Sequence, residues 1–327
     1  MESGLVKRSG IDFKAIPAAG VHGVGLKALP RNLWQLGRGA MASRRILREF
    51  KPDVLFFTGG YVAVPMALAG MKVPTLLYVP DIEPGLALST VARFADKIAI
   101  TSENSRRYFK RPERLCLTGY PTRADLSGWR RGKARQAMNL TDEAPVVLVV
   151  GGSKGARSIN NALLDVLPRL LERAQVIHVT GELDWQEVES KTKAAKLEKA
   201  SRYHATPYLH EEMGAALAAA DLVISRAGAS TLGEYPLVGL PAILVPYPHA
   251  WRYQKVNAAF LAEHGAAVLL PDEEMNARMV VIVQDLLTHP ERLSGMRSAM
   301  QALARPDAAG AIASLVRQLA HQGKAGS

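Results

Sequence analysis

Short apolar runs recur along the 327 residues and alternate with segments of helical period. Strands are predicted at Val54–Thr58, Thr75–Val79, Lys97–Thr101, Val146–Val150, Gln175–Thr180, Leu222–Ser225, Ala242–Pro246 and Ala267–Leu270. Between them lie patterns such as Ile159, Leu163, Val166, Leu167 and Leu170, whose spacing of three and four is that of one helix face. Runs that stay apolar without alternating polarity belong to strands covered on both faces. Strand and helix in alternation define βαβ units and parallel sheets, an α/β fold. The rhythm pauses over 119–145, where Gly119, Pro121, a basic run from Trp129 to Arg135 and Pro145 mark the passage between two domains. A second break at Arg305-Pro306-Asp307 precedes a closing helix predicted from about Ala308 to Leu319.

Bulk properties narrow the function classes. A single cysteine, Cys116, excludes an internal disulfide framework and reads as a small apolar residue between Leu115 and Leu117. The start, Met-Glu-Ser-Gly-Leu-Val-Lys-Arg, lacks the apolar core of a signal peptide, and no apolar run has the length of a bilayer span. Residues 1–139 hold 23 Lys and Arg against 10 Asp and Glu, which leaves 18 against 20 for the remainder. The first half therefore faces an anionic partner: a phosphorylated substrate, an anionic membrane or, least well supported, nucleic acid. Without basic stretches interleaved with aromatics, or a nucleic-acid motif, no nucleic-acid partner is expected.

Three strand ends carry glycine: Thr58-Gly59-Gly60-Tyr61, Gly151-Gly152-Ser153-Lys154-Gly155-Ala156-Arg157, and Ser225-Arg226-Ala227-Gly228-Ala229. Such glycines either make tight βα turns or let a ligand approach the backbone at a helix N-terminus, where phosphates bind. Two of the loops fall in the second half. Ser153 adds a hydroxyl there, and Lys154 and Arg157 are added charge or solvent-facing residues. Glu234 follows the third loop early in a predicted helix. It is either a dipole-compatible surface acid or a carboxylate accepting bonds from both hydroxyls of a ribose.

The stretches 225–234 and 240–257, read with 151–157, resemble the MurG family of bacterial N-acetylglucosaminyltransferases. Gly59-Gly60-Tyr61-Val62 is similar to that family's second glycine loop, and Gly151–Arg157 to its third. Tyr120-Pro121-Thr122-Arg123 resembles its Asn-Pro-Val-Arg junction, and His249 to Asn257 its His-Lys-Asp-Arg-Gln-Gln-x-x-Asn run. The resemblance implies a GT-B architecture: two Rossmann-like domains whose parallel sheets face across a cleft. Residues 1–122 would form an acceptor and membrane-facing domain joined by the C-terminal helix at 307–327. Residues 123–306 would bind a UDP-sugar.

By position, Ser153 and the turn Ala229, Ser230, Thr231 with Leu232 and Gly233 would hold the diphosphate. Arg123 would reach the nucleotide, Glu234 the ribose and the backbone at His210 the uracil edge. Gln254, and with it Asn257, would bind sugar hydroxyls. No metal and no cofactor is implied. The implied reaction is inverting transfer of N-acetylglucosamine from UDP-GlcNAc to a polyprenyl-diphosphate-linked muramyl-peptide acceptor, lipid I to lipid II. That places the chain in peptidoglycan synthesis, hence in cell-wall growth, cell shape and division, as a peripheral protein on the cytoplasmic face of the bacterial cell membrane.

Three departures from the family pattern stand out. The family's first strand and Gly-Gly-x-Gly-Gly-His loop, at least one βα unit of roughly 30 residues, have no counterpart, so the first domain is expected to be N-terminally truncated and without the family's base histidine. The family's His-Glu-Gln-Asn reads Tyr78-Val79-Pro80-Asp81, and the first glutamine of the Gln-Gln pair is Tyr253. Asp81 is then a candidate base or sugar ligand, or simply a loop residue beside Pro80 and Pro84. These departures leave open a related UDP-sugar transferase with another lipid or exopolysaccharide acceptor, and a nucleotide-binding protein that needs the absent loop or a partner subunit to act. The predicted helix at 29–50 carries arginines on one side and Leu33, Leu36, Ala40, Leu47 and Phe50 largely on another. It is a packed surface helix or a peripheral contact with anionic lipid.

Overall fold

The computed structural model describes residues 6, 10–18, 29–60, 62–140, 143–152, 155–248 and 252–325. Two parallel sheets divide the chain. The first holds β1 (Leu55–Phe57), β2 (Thr75–Val79), β3 (Lys97–Ile100) and β4 (Leu115–Leu117), in the order β1-β2-β3-β4. The second holds β5 (Val146–Val150), β6 (Gln175–Val179), β7 (Tyr203–Thr206), β8 (Leu222–Ser225), β9 (Ala242–Leu244) and β10 (Ala267–Leu269), in the order β10-β9-β8-β5-β6-β7. Each predicted strand is present, most of them one or two residues shorter. Two strands escaped the sequence pattern. β4 has only three residues, directly after a 3-10 turn at Pro112–Arg114. β7 is an edge strand of polar, half-buried residues paired only with β6.

Alternation along β5 splits the second core in two. Val147 and Val149 join Ile224 and Ile243 against Ile159, Leu163, Val166, Leu167 and Leu170 of α5 (Arg157–Leu171). Val146 and Leu148 join Val223 and Leu244 on the opposite face, against Ala216 and Leu217 of α7 (Met213–Ala219). The helix between them in sequence is α6 (Trp185–Ala194). Burial on both faces is why these strands read as unbroken apolar runs.

The first sheet is covered likewise. Leu55, Phe57, Leu77, Val79, Ile98 and Ile100 pack with Ala63 and Ala67 of α2 (Ala63–Ala69) and with Leu88 and Val91 of α3 (Leu86–Val91). Leu76, Tyr78 and Ala99 face Ile312 and Leu319 of the last helix, α12 (Ala308–Ala325). Two helices of the second half precede it, α10 (Met275–Thr288) and α11 (Pro290–Ala302), and α4 (Arg131–Ala137) lies at the passage between the sheets. Helix α1 (Leu29–Phe50) packs against α2, with Leu47 partly buried. Its expected apolar face is incomplete, because Phe50 is 74% exposed.

Candidate functional site: a crevice at the switch point of the second sheet

Strand order reverses between β5 and β8, so the loops leaving these two strands part in opposite directions and open a crevice at the carboxyl edge. Both glycine loops of the second half are there. Gly152 (φ 91°) and Gly155 (φ 79°) hold left-handed backbone that a side chain would strain. A Cβ at Gly155 would also come within 2.5 Å of the Thr180 carbonyl oxygen. After β8, Gly228 leads into a 3-10 turn at Ala229–Leu232, and Glu234 begins the short helix α8 (Glu234–Val238). The Thr231 hydroxyl closes that turn by donating to the Gly228 carbonyl at 2.7 Å.

A cavity of about 1040 Å³ lies over these loops, at the upper end of the usual ligand-site range of roughly 300–1,000 Å³. Of the residues singled out from sequence, Arg123, Arg157, Ser230, Thr231, Glu234 and Gln254 line it together with Gly151, Gly152, Gly155 and Gly228, whereas Ala229 is not among the lining residues. His210 is not among the lining residues; its carbonyl accepts from Arg123 Nη2 at 3.3 Å. Gln254 Oε1 accepts from the Tyr247 amide at 2.9 Å. Leu232 turns into the core, and Gly233 is pressed against the Tyr120 ring, where a Cβ would come within 2.7 Å. Ser153, Lys154 and His249 lie outside the described residues.

Glu234 is half-buried, and burial pushes its carboxyl above the ordinary value. The Arg123 charge and a Ser230 hydrogen bond oppose that shift, while Asp125 adds to it. A desolvated carboxylate with a cation nearby is prepared to accept hydrogen bonds from a diol. No cluster of metal-ligating side chains occurs among the described residues.

The pocket floor holds residues that the sequence reading passed over. Arg226, nearly buried, pairs with Asp272, donates to Ser158 Oγ at 2.6 Å and to the Val245 carbonyl at 3.2 Å, and lies 5.2 Å over the Tyr247 ring. Its signal in the sequence is its place inside the Ser225–Glu234 motif, two residues before Gly228.

Behind the glycine loop that leaves β5, His178 is wholly buried. Asn160 Nδ2 donates to the Thr180 carbonyl at 2.9 Å and to Asp184 Oδ2 at 3.0 Å. Its Oδ1 therefore faces His178 Nε2 at 3.0 Å, which must carry the proton, and His178 Nδ1 accepts from the Tyr203 hydroxyl at 2.8 Å. Burial lowers the His178 pKa to about 3, in keeping with this neutral tautomer. Asp184 also receives Arg157 Nε at 3.0 Å, so a single network spans β6, β7 and the start of α5.

Between the two sheets, helix α9 (Tyr253–Glu263) meets the loop leaving β2. Arg252, next to it, forks onto both oxygens of buried Glu83 at 2.7 and 2.9 Å. Asn257 is fully buried and bonds Asp81 at 2.8 Å. The structure thus places Asn257 between the domains, with its side chain hydrogen-bonded to protein groups.

Two Rossmann-like parallel sheets, with glycine loops opening a nucleotide-sized crevice in the second, make up the GT-B architecture. Residues 146–312 match the glycosyltransferase family 28 C-terminal domain, and residues 1–100 match the family's N-terminal domain. The chain belongs to glycosyltransferase family 28.

It is 39% identical over 359 residues to the UDP-N-acetylglucosamine--N-acetylmuramyl-(pentapeptide) pyrophosphoryl-undecaprenol N-acetylglucosamine transferase of Roseiflexus sp. strain RS-1, covering 98% of this chain and 81% of that protein. The protein of the same name from Desulforamulus reducens is 36% identical over 328 residues, covering 98% and 88%. Among solved structures, Acinetobacter baumannii MurG superposes with a TM-score of 0.75 at 24% identity, over 97% of this chain and 88% of that one. UDP-GlcNAc 2-epimerase from Neisseria meningitidis bound to UDP-GlcNAc gives 0.66 at 13% identity, over 97% and 88%, a likeness of fold.

Proposed function

We propose that this chain transfers N-acetylglucosamine from UDP-GlcNAc to N-acetylmuramyl-(pentapeptide) pyrophosphoryl-undecaprenol, the reaction in the names of its relatives. The observation that carries the reading is the grouping of Arg123, Ser230, Thr231, Glu234 and Gln254 around one crevice at a sheet switch point. Glu234 accepts the ribose hydroxyls. Arg123 and the backbone at His210 hold the base end. The glycine loop with Ser153, and the turn Ala229 to Gly233, receive the diphosphate. Gln254 meets the sugar.

An acceptor hydroxyl attacks the anomeric carbon from the face opposite UDP. The new C–O bond forms as the bond to the diphosphate oxygen breaks, UDP leaves with the bonding pair, and the hydroxyl proton passes to a base. Backbone and cationic donors stabilise the charge that develops on the leaving diphosphate.

Transfer occurs at the cytoplasmic face of the membrane, where the basic first half meets anionic lipid. Supporting this, Trp34 and Phe50 of α1 are 63% and 74% exposed, and Arg38 stacks 4.8 Å over Trp34. No described helix is long and apolar enough to cross a membrane.

The test is calorimetry with UDP and UDP-GlcNAc, followed by label transfer to a lipid-linked muramyl-pentapeptide acceptor. Binding in the micromolar range and inverted product are expected. Absence of UDP binding would refute the donor assignment. UDP binding with transfer only to a different polyprenyl-linked sugar would favour a related transferase, the reading to which Tyr78-Val79-Pro80-Asp81 points.

A further inference from the structure

Asn257 uses its whole side chain between two bodies. Its Nδ2 donates to Asp81 Oδ1 at 2.8 Å and to the Ala227 carbonyl at 3.2 Å, and its Oδ1 accepts from the Ile82 amide at 3.1 Å. Ala227 immediately precedes Gly228, where the 3-10 turn of the donor pocket starts. Asp81 and Ile82 lie just past the end of β2 in the first domain. One side chain therefore joins the donor turn to the acceptor-side sheet edge, and Arg252 on Glu83 adds a second tie alongside.

The identity of residue 81 matters to this geometry. A carboxylate only accepts, so an ionised Asp81 fixes the Asn257 amide with Nδ2 toward it and Oδ1 toward Ile82. That orientation aims the second Nδ2 hydrogen at the buried Ala227 carbonyl. An asparagine at 81, the residue of the resembling family motif, keeps an acceptor oxygen but also brings donors of its own.

We infer that Asp81 and Asn257 form a positioning clasp, which transmits the placement of the occupied donor turn to the acceptor-side loop at 81–83. The inference rests on the donor-site reading above. Asp81 here acts through Asn257, and its carboxylate does no proton transfer. A displacement of one ångström between donor and acceptor costs far more in turnover than in donor binding. Loss of the clasp therefore lowers kcat and leaves UDP affinity nearly intact.

The test combines calorimetry, turnover and hydrogen exchange on the whole chain. In the unmutated protein, UDP is expected to slow amide exchange at 79–83 about fivefold or more. Asn257→Ala should bind UDP within about threefold of the parent, lose that protection and lower kcat by about 10- to 100-fold. Asp81→Ala should behave likewise, whereas Asp81→Asn, which retains an acceptor oxygen, should stay within about threefold of the parent in both readouts.

Should Asn257→Ala fold poorly, the pair Asp81→Asn with Asn257→Asp exchanges donor and acceptor and is expected to recover part of the protection lost in Asn257→Asp alone. Asp81→Asn with intact protection and abolished turnover would overturn the inference, because the carboxylate would then act chemically. UDP binding without protection at 79–83 would refute the clasp alone. Absence of UDP binding by the unmutated chain would refute the donor reading, and the clasp with it.

Discussion

The two sheets are built from the same parallel units and differ in strand order. The second runs β10-β9-β8-β5-β6-β7, with a reversal between β5 and β8; the first runs β1-β2-β3-β4 without one. In the second sheet the loops after β5 and β8 open a crevice between them, and both are glycine loops. In the first sheet the loops after successive strands are spaced along a single edge, and its residues reach the cleft one loop at a time. Asp81 and Glu83 do so by engaging Asn257 and Arg252. Under the proposed function, donor binding falls to the second half, and the first half orients against it.

The largest effect expected is at Glu234. Two charge-assisted hydrogen bonds to a ribose contribute roughly 1.5–3 kcal/mol each, so Glu234→Ala should raise the UDP dissociation constant at least about 100-fold in calorimetry. Its melting temperature should not fall. Burial raises this carboxyl's pKa, so the native chain binds the proton more tightly than the unfolded chain does. The stabilisation that follows is complete at low pH and is lost as pH rises through the folded value. At pH 7 the ionised side chain is therefore a native-state liability, and Glu234→Gln should melt higher than the parent while losing UDP. Unchanged UDP affinity in either variant would remove the chemical difference between the two halves.

Next in size is the network behind the glycine loop that leaves β5. Asn160→Ala strands His178, the Thr180 carbonyl and Asp184, and each buried unsatisfied group costs about 1–3 kcal/mol. Urea unfolding should show a loss of about 3 kcal/mol. UDP affinity should fall more than uridine affinity, because the loop that receives the diphosphate is displaced. His178 adds a pH signature: with its pKa lowered to about 3, its contribution is present above about pH 6.5 and is lost as pH falls toward 3. Equal loss of UDP and uridine affinity would make the network a scaffold without preference for the diphosphate end.

The same contrast explains what was legible in the sequence. Strands buried on both faces announce themselves as runs such as Val146–Val150, so most of the second sheet could be read directly. β7 could not, because an edge strand reading Tyr-His-Ala-Thr carries no apolar run. β4 was hidden by its length of three residues. The glycine turns and Glu234 were visible as motif. Arg226, Ser158 and Asp272 were not, since their partnership joins the loop after β8, the first turn of α5 and the turn after β10. Asn257 was visible through the resemblance as a sugar ligand beside Gln254, and only the fold shows that its side chain meets Asp81 instead.

A third, smaller effect follows from Glu234 in the complex. Ribose hydroxyls need the ionised carboxylate to accept both bonds. Titration of UDP affinity against pH should show weakening on acidification, beginning above the usual glutamate range near about 4.3. In Glu234→Gln that inflection should be absent. An inflection that persists in the glutamine variant would assign it to another group.

The smallest effect tests the first half at its surface. Trp34, Met41 and Phe50 are exposed along α1 among Arg31, Arg38, Arg44, Arg45 and Arg48. An exposed side chain contributes little to folding, so Trp34→Ser with Phe50→Ser should shift unfolding free energy by no more than about 0.5 kcal/mol per site. Vesicle sedimentation should respond more. Apolar insertion and anionic attraction act together at such a helix, and the double variant should bind phosphatidylglycerol vesicles several-fold more weakly, with residual binding that declines as salt rises. UDP affinity should be unchanged, since α1 packs on α2 beside the first sheet and the donor crevice belongs to the second. Unaltered vesicle binding in the double variant would move the lipid contact off α1 and leave the basic charge of the first half to be explained by the acceptor's diphosphate alone.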